Sequence, residues 1–319
     1  MTDAARASQT AIHRPIVAVV GATGTGKSSF ALDLAEALEN TGMPTDIVNA
    51  DAMQLYKGMD IGTAKVPPSL RRGITHHLFD IWNVTTEASV AEYQSVARAV
   101  IRDIQSRGRV PILVGGSGLY VSSVLYEFEF PGTDPAVRAE LELRAETEGT
   151  DSLMAELAQK DPLAAAAIDP QNVRRVVRAL EVIHVTGKPF GAGLDAERRP
   201  WQTKTHILGL HREREDLVVA LDERVVGMWE DGLVEEVESL IPGGLRQGVT
   251  ASRAIGYQQV LEFLDGNCSR QDAIENTQAL TRRYARRQVS WFRRDQNITW
   301  FSSGDEEALT CGLTLVREA

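Results

Sequence analysis

Apolar runs and helical periodicities alternate along the first third of the chain. Residues 16–20 form an unbroken apolar run of the kind found in strands buried on both faces, and residues 46–49 and 110–114 indicate two further strands. Amphipathic helices are predicted between them, from residue 27 toward residue 40 and over residues 89–107. Strands that alternate with helices in this way predict an α/β fold, in which a parallel sheet carries helices on both faces.

The pattern changes after residue 129, where Glu, Ala and Leu predominate and no strand is indicated. We predict a helical insertion domain over residues 130–193 and a core domain formed by residues 1–129 and 194–319. In the core, residues 205–209 indicate another strand, and residues 216–240 indicate one long helix. One helix of the insertion has an apolar face and a charged face, which consist of Val173, Val176, Val177 and Leu180, and of Arg174, Arg178 and Glu181.

The first strand runs directly into the sequence GATGTGKS, and a predicted helix follows it. This is the phosphate-binding loop pattern in the strand–loop–helix context that the pattern needs, so we expect a polyphosphate to bind here. Lys27 supplies a positive charge and Ser28 a hydroxyl for a magnesium ion. An ordinary glycine-rich turn is the alternative. The candidate diphosphate or nucleotide ligands are Gly21, Ala22, Thr23, Gly24, Thr25, Gly26, Lys27 and Ser28.

Asp51 and Arg224 are the two charged residues whose positions suggest a role beside that loop. Asp51 follows the second predicted strand, at the carboxyl edge of the sheet where such folds bind ligands. A turn or helix cap is the alternative role for Asp51. Arg224 falls on one helical stripe with Leu217, Leu221 and Met228, and a core-facing arginine requires an anion. That anion is either a structural carboxylate or the bound polyphosphate.

Positive charge is concentrated in residues 281–294, TRRYARRQVSWFRR, which contain six arginines. As a helix, this segment places Ala285, Val289 and Phe292 on one seam and the arginines on two stripes beside it. A solvated face normally mixes both signs of charge, so we interpret the segment as a contact surface for nucleic-acid phosphates. A plain surface helix is the alternative.

Composition limits the class of protein without naming its activity. The 319 residues are 43% hydrophobic and 24% charged, as in globular proteins, and no apolar run is long enough for a signal peptide or a membrane span. The net charge of −10 argues against nucleic acid as a partner unless the basic residues are clustered, as they are in residues 281–294. Cys268 and Cys311 lack metal or redox spacing, so we expect a cytoplasmic protein. We also expect no membrane attachment and a monomer. His76 and His77 would point to opposite sides of a strand, and we predict no histidine metal cluster.

Several segments together closely resemble the bacterial tRNA dimethylallyltransferase (tRNA isopentenyltransferase) family. The resemblance runs over nearly the whole chain in one order, and GMDIGTAK and the arginine-rich segment are its most specific parts. The matching segments are GATGTGKS, NADAMQLYKGMDIGTAK, HHLFDI, RVPILVGGSGLY, NVRRVVRALEV, GLVEEV, SRAIGYQQ and TRRYARRQVSWFRR.

The resemblance implies a P-loop, kinase-like parallel-sheet core with a helical insertion that helps to hold a tRNA anticodon stem-loop. It implies transfer of a dimethylallyl group from dimethylallyl diphosphate to N6 of the adenosine just 3′ of the anticodon, with Mg²⁺ as cofactor. Thr23, Lys27, Ser28 and Arg224 match the family's diphosphate ligands, and Asp51 matches its general base. Positions matching the family's tRNA contacts are Asp51, Ala52, Met53, Gln54, Ser117, Arg138, Arg174, Arg175, Arg178, Arg253, Tyr257, Arg282, Arg283, Arg286 and Arg287.

Three positions depart from the family pattern, and three other functions stay open. The family usually has Pro and Ala where this loop has Ala22 and Gly24, and Thr where this chain has Ser117; the anion nest and the hydroxyl are kept. One alternative is an adenylate isopentenyltransferase, which would need neither the basic helix nor the insertion. The others are an ATP-dependent phosphotransferase for small molecules and a nucleotide-gated RNA-binding protein without catalysis. Members of the family are also commonly described as nucleotide- or ATP-binding because of the loop.

Overall fold

The computed structural model describes residues 14–128, 130–190 and 199–318. Its centre is a parallel sheet whose strands lie in the order β3-β2-β4-β1-β5-β6. The strands are β1 (Ile16–Gly21), β2 (Thr45–Asn49), β3 (Thr75–His77), β4 (Val110–Gly115), β5 (Thr205–His211) and β6 (Ile298–Ser302). The predicted parallel α/β class is confirmed, while β3 and β6 were not predicted as strands.

The helices follow in chain order. They are α1 (Lys27–Asn40), α2 (Val90–Ser106), α3 (Gly118–Leu125), α4 (Pro135–Glu148), α5 (Thr150–Lys160), α6 (Pro162–Ala167), α7 (Val173–Thr186), α8 (Arg214–Glu230), α9 (Leu233–Leu240), α10 (Tyr257–Leu264), α11 (Arg270–Phe292) and α12 (Glu306–Glu318). None of the described helices is long and apolar enough to cross a membrane.

The sheet core explains why the strands are continuous apolar runs. Every residue of β1, β2 and β4 is buried, because these strands lie inside the sheet and both of their faces are covered. Val17, Ile112 and Leu208 from three neighbouring strands pack with Leu34 of α1 and Ala308 of α12 in one apolar cluster. The predicted helices over residues 27–40 and 89–107 are confirmed as α1 and α2, and Ser89 caps α2 by accepting the Glu92 amide.

The chain divides into two compact units. One consists of residues up to Leu125 together with those from Trp201 onward, and the other is Tyr126–Pro200. Among the described residues of the second unit, the regular elements are helices, joined by an isolated bridge between Tyr126 and Pro200. The core of this unit is formed by Leu141, Leu153, Leu157, Val176 and Leu180. Its boundaries lie four residues before and seven residues after the predicted insertion of residues 130–193.

The predicted single helix over residues 216–240 is wrong. It is two helices, because α8 ends at Glu230 and α9 begins at Leu233 after Gly232, whose φ of +103° is left-handed and disfavours other residues. The buried stripe of α8 also differs slightly from the prediction. Leu217 and Leu221 are buried as expected, but Val225 and Trp229 continue the stripe, and Arg224 and Met228 lie half-buried beside it.

Candidate functional site

The loop between β1 and α1 has the backbone of an anion-binding site. Gly21 has φ of +145°, and a Cβ there would lie 2.4 Å from the carbonyl oxygen of Leu210, so only glycine fits. Gly26, with φ of +80°, is the residue before α1, and no side chain caps that helix. The first amides of α1 are therefore left to a ligand, and the helix dipole favours a negative one.

Lys27 points back over this loop. Its Nζ donates to the carbonyl oxygen of Ala22 at 2.6 Å. Burial lowers the pKa of Lys27 from 10.5 to about 8, an effect that the negative charge of Asp51 opposes and the positive charge of Arg224 reinforces. A cation held with such a low pKa is stabilised by any anion that enters.

Arg224 of α8 reaches the same loop from the other side. Its Nη1 donates to Oγ1 of Thr23 at 3.3 Å. Burial lowers the pKa of Arg224, and the charge of Asp51 counteracts this. In the described parts of the chain no carboxylate lies within ion-pair distance of the Arg224 guanidinium, so the structure gives no support to the structural salt bridge considered as an alternative.

Asp51 lies just beyond β2, held by the side chain of Asn49. Asn49 accepts the Asp51 amide at 2.9 Å and donates to the Asp51 carbonyl oxygen at 3.1 Å. Asp51 Oδ1 accepts the amide of Met53 at 2.9 Å, so the turn role is present. Oδ2 accepts no hydrogen bond from the described residues and Asp51 also lines the loop's pocket, so the turn leaves one carboxylate oxygen for a ligand.

These side chains surround one cavity of about 280 Å³ in the first unit. Its lining includes the polar residues Thr23, Lys27, Ser28, Asp51 and Arg224 together with several apolar side chains. We call this cavity the diphosphate pocket. Its other lining residues include Gly24, Gly26, Ile47, Gln54, Val66, His76, Phe79, Val114 and Gln288. Of the predicted loop ligands, Ala22 and Thr25 line a different cavity.

Gln288 contacts the phosphate-binding loop, a role that was not predicted from the sequence. It is 3% exposed, accepts the amide of Thr23 at 2.8 Å and donates to the carbonyl oxygen of Gly116 at 2.8 Å. It therefore ties the phosphate-binding loop to the turn that follows β4. A glutamine among the apolar residues of the α11 seam was the available signal, but the arginines around it dominated the pattern.

The arginine-rich segment is the second half of α11, and its predicted seam is present. Ala285 and Phe292 are buried and Val289 is half-buried. Arg283, Arg286 and Arg287 are exposed, whereas Arg282 pairs with Asp222 of α8 at 2.5 Å.

Tyr284 connects α11 to the Asp51 region. Its hydroxyl lies 3.3 Å from Ser117 Oγ, which also accepts the amide of Ala52 at 3.2 Å. Burial, followed by the charge of Asp51, raises the pKa of Tyr284 to about 12, so this hydroxyl is protonated at neutral pH. Ser117 itself is 8% exposed, while Ala52 and Met53 are half-buried.

Tyr257 is the predicted tRNA contact that the structure contradicts. Its side chain is 0% exposed, and its hydroxyl donates to Glu236 Oε1 at 2.5 Å, so it cannot touch RNA from this position. Glu236 also accepts the amides of Asp60, Ile61 and Gly62. Glu236 and Tyr257 thus anchor the GMDIGTAK loop, two residues of which, Thr63 and Ala64, line the diphosphate pocket. Arg253, by contrast, is exposed.

In the helical unit, two of the predicted tRNA-binding arginines are engaged by one carboxylate. Arg138 and Arg178 donate to Glu181 at 3.0 and 2.7 Å, and Glu181 is 0% exposed. Burial would raise the pKa of Glu181, but hydrogen bonds from Arg178, Arg138 and the Asp134 amide lower it overall. Arg178 also donates to the carbonyl oxygens at 131 and 132. Arg174 and Arg175 are exposed on α7.

The family model described as IPP transferase matches residues 54–295. A tRNA dimethylallyltransferase of Clavibacter sepedonicus is 56% identical over 295 residues, which cover 92% of this chain and 95% of the relative. One of Thermobifida fusca (strain YX) is 52% identical, covering 95% and 94%.

Solved structures agree with these sequence relatives. The full-length tRNA isopentenylpyrophosphate transferase of Bacillus halodurans superposes with a TM-score of 0.68 at 37% identity, covering 96% of this chain and 97% of that one. A eukaryotic dimethylallyltransferase, described as acting on tRNA, superposes with a TM-score of 0.76 at 27% identity, covering 92% and 75%. Since the family model spans more than half of the chain and close relatives span nearly all of it, the protein belongs to the IPP transferase family.

Proposed function

We propose that this enzyme transfers a dimethylallyl group from dimethylallyl diphosphate to N6 of the adenosine just 3′ of the anticodon in tRNA. The observation that carries the proposal is the diphosphate pocket, whose lining combines two cations, Lys27 and Arg224, with one carboxylate, Asp51. The names of its relatives support the same reaction.

The polar residues of the pocket suit a diphosphate leaving group. In the reaction, the bond between the allylic carbon and the diphosphate oxygen breaks, and negative charge grows on the diphosphate. Lys27, Arg224 and the open amides of α1 are aimed at that charge before the reaction begins, and such preorganised stabilisation is usually the largest catalytic term. The apolar walls, among them Ile47, Val66 and Phe79, suit the prenyl chain.

A magnesium ion fits this arrangement through Ser28. The Ser28 hydroxyl lies in the first turn of α1 and lines the pocket, and Mg²⁺ prefers a few protein oxygens together with water and substrate phosphates. Bound there, the ion would supply additional positive charge for the leaving group.

Asp51 supplies the acceptor for the proton. As the new bond forms between N6 and the allylic carbon, N6 becomes cationic and its proton becomes acidic. The free Oδ2 of Asp51 can first orient the amine by accepting its N–H and then take the proton, while the diphosphate leaves with the electron pair of the broken bond. The adenine must leave its stack to reach this pocket, as bases do in enzymes that modify them.

The exposed arginines of α11 provide the recognition surface for RNA. Arg283, Arg286 and Arg287 lie on the exposed face of a helix whose buried face, through Gln288, holds the phosphate-binding loop. Arginines on phosphates are the expected contact for a folded RNA loop. Free AMP would not need this surface, which favours tRNA over an adenylate acceptor.

The test is a transfer assay with labelled dimethylallyl diphosphate and three acceptors: an unmodified anticodon stem-loop, the same hairpin with purine riboside in place of the target adenosine, and AMP. We expect label in the first RNA only, recovered as N6-dimethylallyladenosine after digestion. Label on AMP, or transfer of phosphate from ATP to a small molecule, would replace the proposal by one of the other activities.

We further propose that the enzyme acts in the cytoplasm, where tRNA is, and as a monomer. Light scattering at assay concentration, compared with activity over a dilution series, tests the monomer.

A further inference from the structure

A second and larger cavity, of about 870 Å³, lies beside the diphosphate pocket in the same unit. The phosphate-binding loop and α11 separate the two. Thr23 and Gly24 of the loop line the diphosphate pocket, while Ala22 and Thr25 line the larger one. On α11, Gln288 faces the first cavity, and its neighbour Val289 faces the second, which we call the arginine-rimmed cavity.

The floor of the arginine-rimmed cavity is apolar. Leu217 and Leu221 of α8 and Ala285 of α11 are 8%, 1% and 2% exposed, and they form a small apolar cluster with the half-buried Val289. Trp300 of β6 adds a half-buried aromatic ring. Such a surface gains free energy when a flat apolar group covers it.

The rim of the cavity is positively charged. Five exposed arginines line it: Arg212, Arg214, Arg286, Arg293 and Arg294. Within the described parts of the chain, none of these five side chains forms an ion pair or a hydrogen bond, and Glu213 is the single acidic residue of the lining. In a chain with a net charge of −10, a group of unpaired cations around one cavity indicates an anionic ligand.

An apolar floor inside a ring of arginines is the arrangement that binds an unstacked nucleotide, with its base on the floor and its phosphates on the rim. We propose that the arginine-rimmed cavity binds the base of a nucleotide next to the target adenosine in the single-stranded loop. This rests on the proposed function, because the target adenosine in the diphosphate pocket brings its neighbours to α11. One helix, about 10 Å across, then separates the two bound bases.

The experiment is a double-mutant cycle that combines variants of the protein with variants of the RNA hairpin. The affinity for RNA is measured for each pair. Hairpins carry an abasic residue at the 5′ neighbour of the target, at the 3′ neighbour, or at a distant loop position. Val218, half-buried in the cavity lining, is changed to Glu, which puts a negative charge under the base. Val219→Glu is the matched control, since Val219 is the next residue of α8, is 55% exposed and does not line the cavity.

We expect one abasic neighbour to weaken binding to the unaltered enzyme by about tenfold, the scale of a lost base-stacking contact. Val218→Glu should weaken binding of the intact hairpin by a similar factor and abolish the further loss from that abasic residue. Val219→Glu should behave as the unaltered enzyme. Arg293 is exposed, so Arg293→Ala carries no folding risk. This change should also reduce the loss of RNA affinity that the abasic residue causes.

Equal abasic penalties in the unaltered enzyme and in Val218→Glu would overturn the inference, as would a Val219→Glu variant that behaves like Val218→Glu. Failure of the inference differs from failure of the proposed function. In the first case the unaltered enzyme still prenylates the intact hairpin, and in the second it does not.

Discussion

The diphosphate pocket and the helical unit both contain partly buried, positively charged side chains, but these side chains have different hydrogen-bond partners. In the helical unit, Arg138 and Arg178 donate to the fully buried carboxylate of Glu181. In the pocket, Lys27 and Arg224 donate only to a carbonyl oxygen and a hydroxyl within the described chain. A buried cation without a carboxylate is costly to the fold, so its persistence indicates a ligand.

The presence or absence of a carboxylate partner distinguishes structural cations from binding cations better than residue type does. Arginines at 138, 178 and 224 all match positions with family roles, yet two of them already have a carboxylate partner. We therefore expect changes in the pocket to reduce the reaction rate and changes at Glu181 to reduce stability. The following changes are ordered from the largest expected effect to the smallest.

Asp51→Asn should lower the single-turnover rate of prenyl transfer by roughly a hundredfold or more, the scale of a lost general base. The amide oxygen can still accept the Met53 N–H, so the turn and both substrate affinities should survive. Rapid-quench measurement with bound RNA tests this, with Asp231→Asn, an exposed position after α8, as control. A near-normal rate would reduce Asp51 to a turn residue.

Arg224→Ala should lower turnover by about a hundredfold, because the leaving diphosphate loses a preorganised cation. The melting temperature should change little or rise, since a half-buried charge without a carboxylate partner is removed. Steady-state kinetics and calorimetry on the same preparation measure the turnover and the melting temperature. A large loss of melting temperature with normal kinetics would place Arg224 with the structural arginines.

Glu181→Gln should reduce the stability of the helical unit rather than the reaction rate. Removing the carboxylate charge leaves Arg138 and Arg178 without a counterion, and the free energy of unfolding should fall by about 2 kcal/mol, reduced from the fully buried case because both arginines are partly exposed. Urea denaturation measures this loss. A hundredfold slower prenyl transfer at saturating RNA, with unchanged stability, would contradict the structural role of Glu181.

The low pKa of Lys27 predicts a pH dependence of donor binding. A bound diphosphate raises that pKa, so binding takes up a proton above pH about 8, and affinity should fall by about tenfold per pH unit from there. The donor's own phosphate groups are ionised below this range. Calorimetric titration without RNA tests the slope, and Lys27→Met should bind weakly with no slope.

The same low pKa predicts that the stability of the protein rises with pH, whereas its affinity for the donor falls. In the unfolded chain Lys27 keeps its proton up to pH about 10.5, so between pH 8 and 10.5 the unfolded state binds more protons than the folded one. The destabilisation from burying this charge is fully present below pH 8 and is relieved as the pH rises through that window. Lys27→Met should remove this contribution from the pH profile of unfolding.

Two adjacent arginines of α11 also differ in whether they have a carboxylate partner. Arg283 is exposed and forms no ion pair among the described residues, whereas Arg282 pairs with Asp222. Arg283→Ala should therefore weaken RNA binding and reduce the slope of log affinity against log salt by about one, while leaving donor binding intact. Arg282→Ala should change that slope less, and equal slopes for both variants would mean that the pairing with Asp222 does not matter for RNA.

The sequence alone determined the features that depend on neighbouring residues. The strand–loop–helix arrangement around GATGTGKS, the apolar strands β1, β2 and β4, and the apolar seam of α11 are local patterns, and the structure confirms each of them. Gly232 shows the limit even here, because the periodicity continued across a glycine that ends one helix and begins another.

Only the tertiary structure decided which charges and polar groups are satisfied. Gln288 meets the Thr23 amide across 265 positions of sequence, and Tyr257 is buried on Glu236 rather than exposed to RNA. Arg178 matched an RNA-contact position, yet it is held by Glu181, whereas Arg224 matched a diphosphate-ligand position and has no such partner. Hydrogen bonds and ion pairs require two groups at a few ångströms, and a local pattern carries no information on which distant residue the fold brings there.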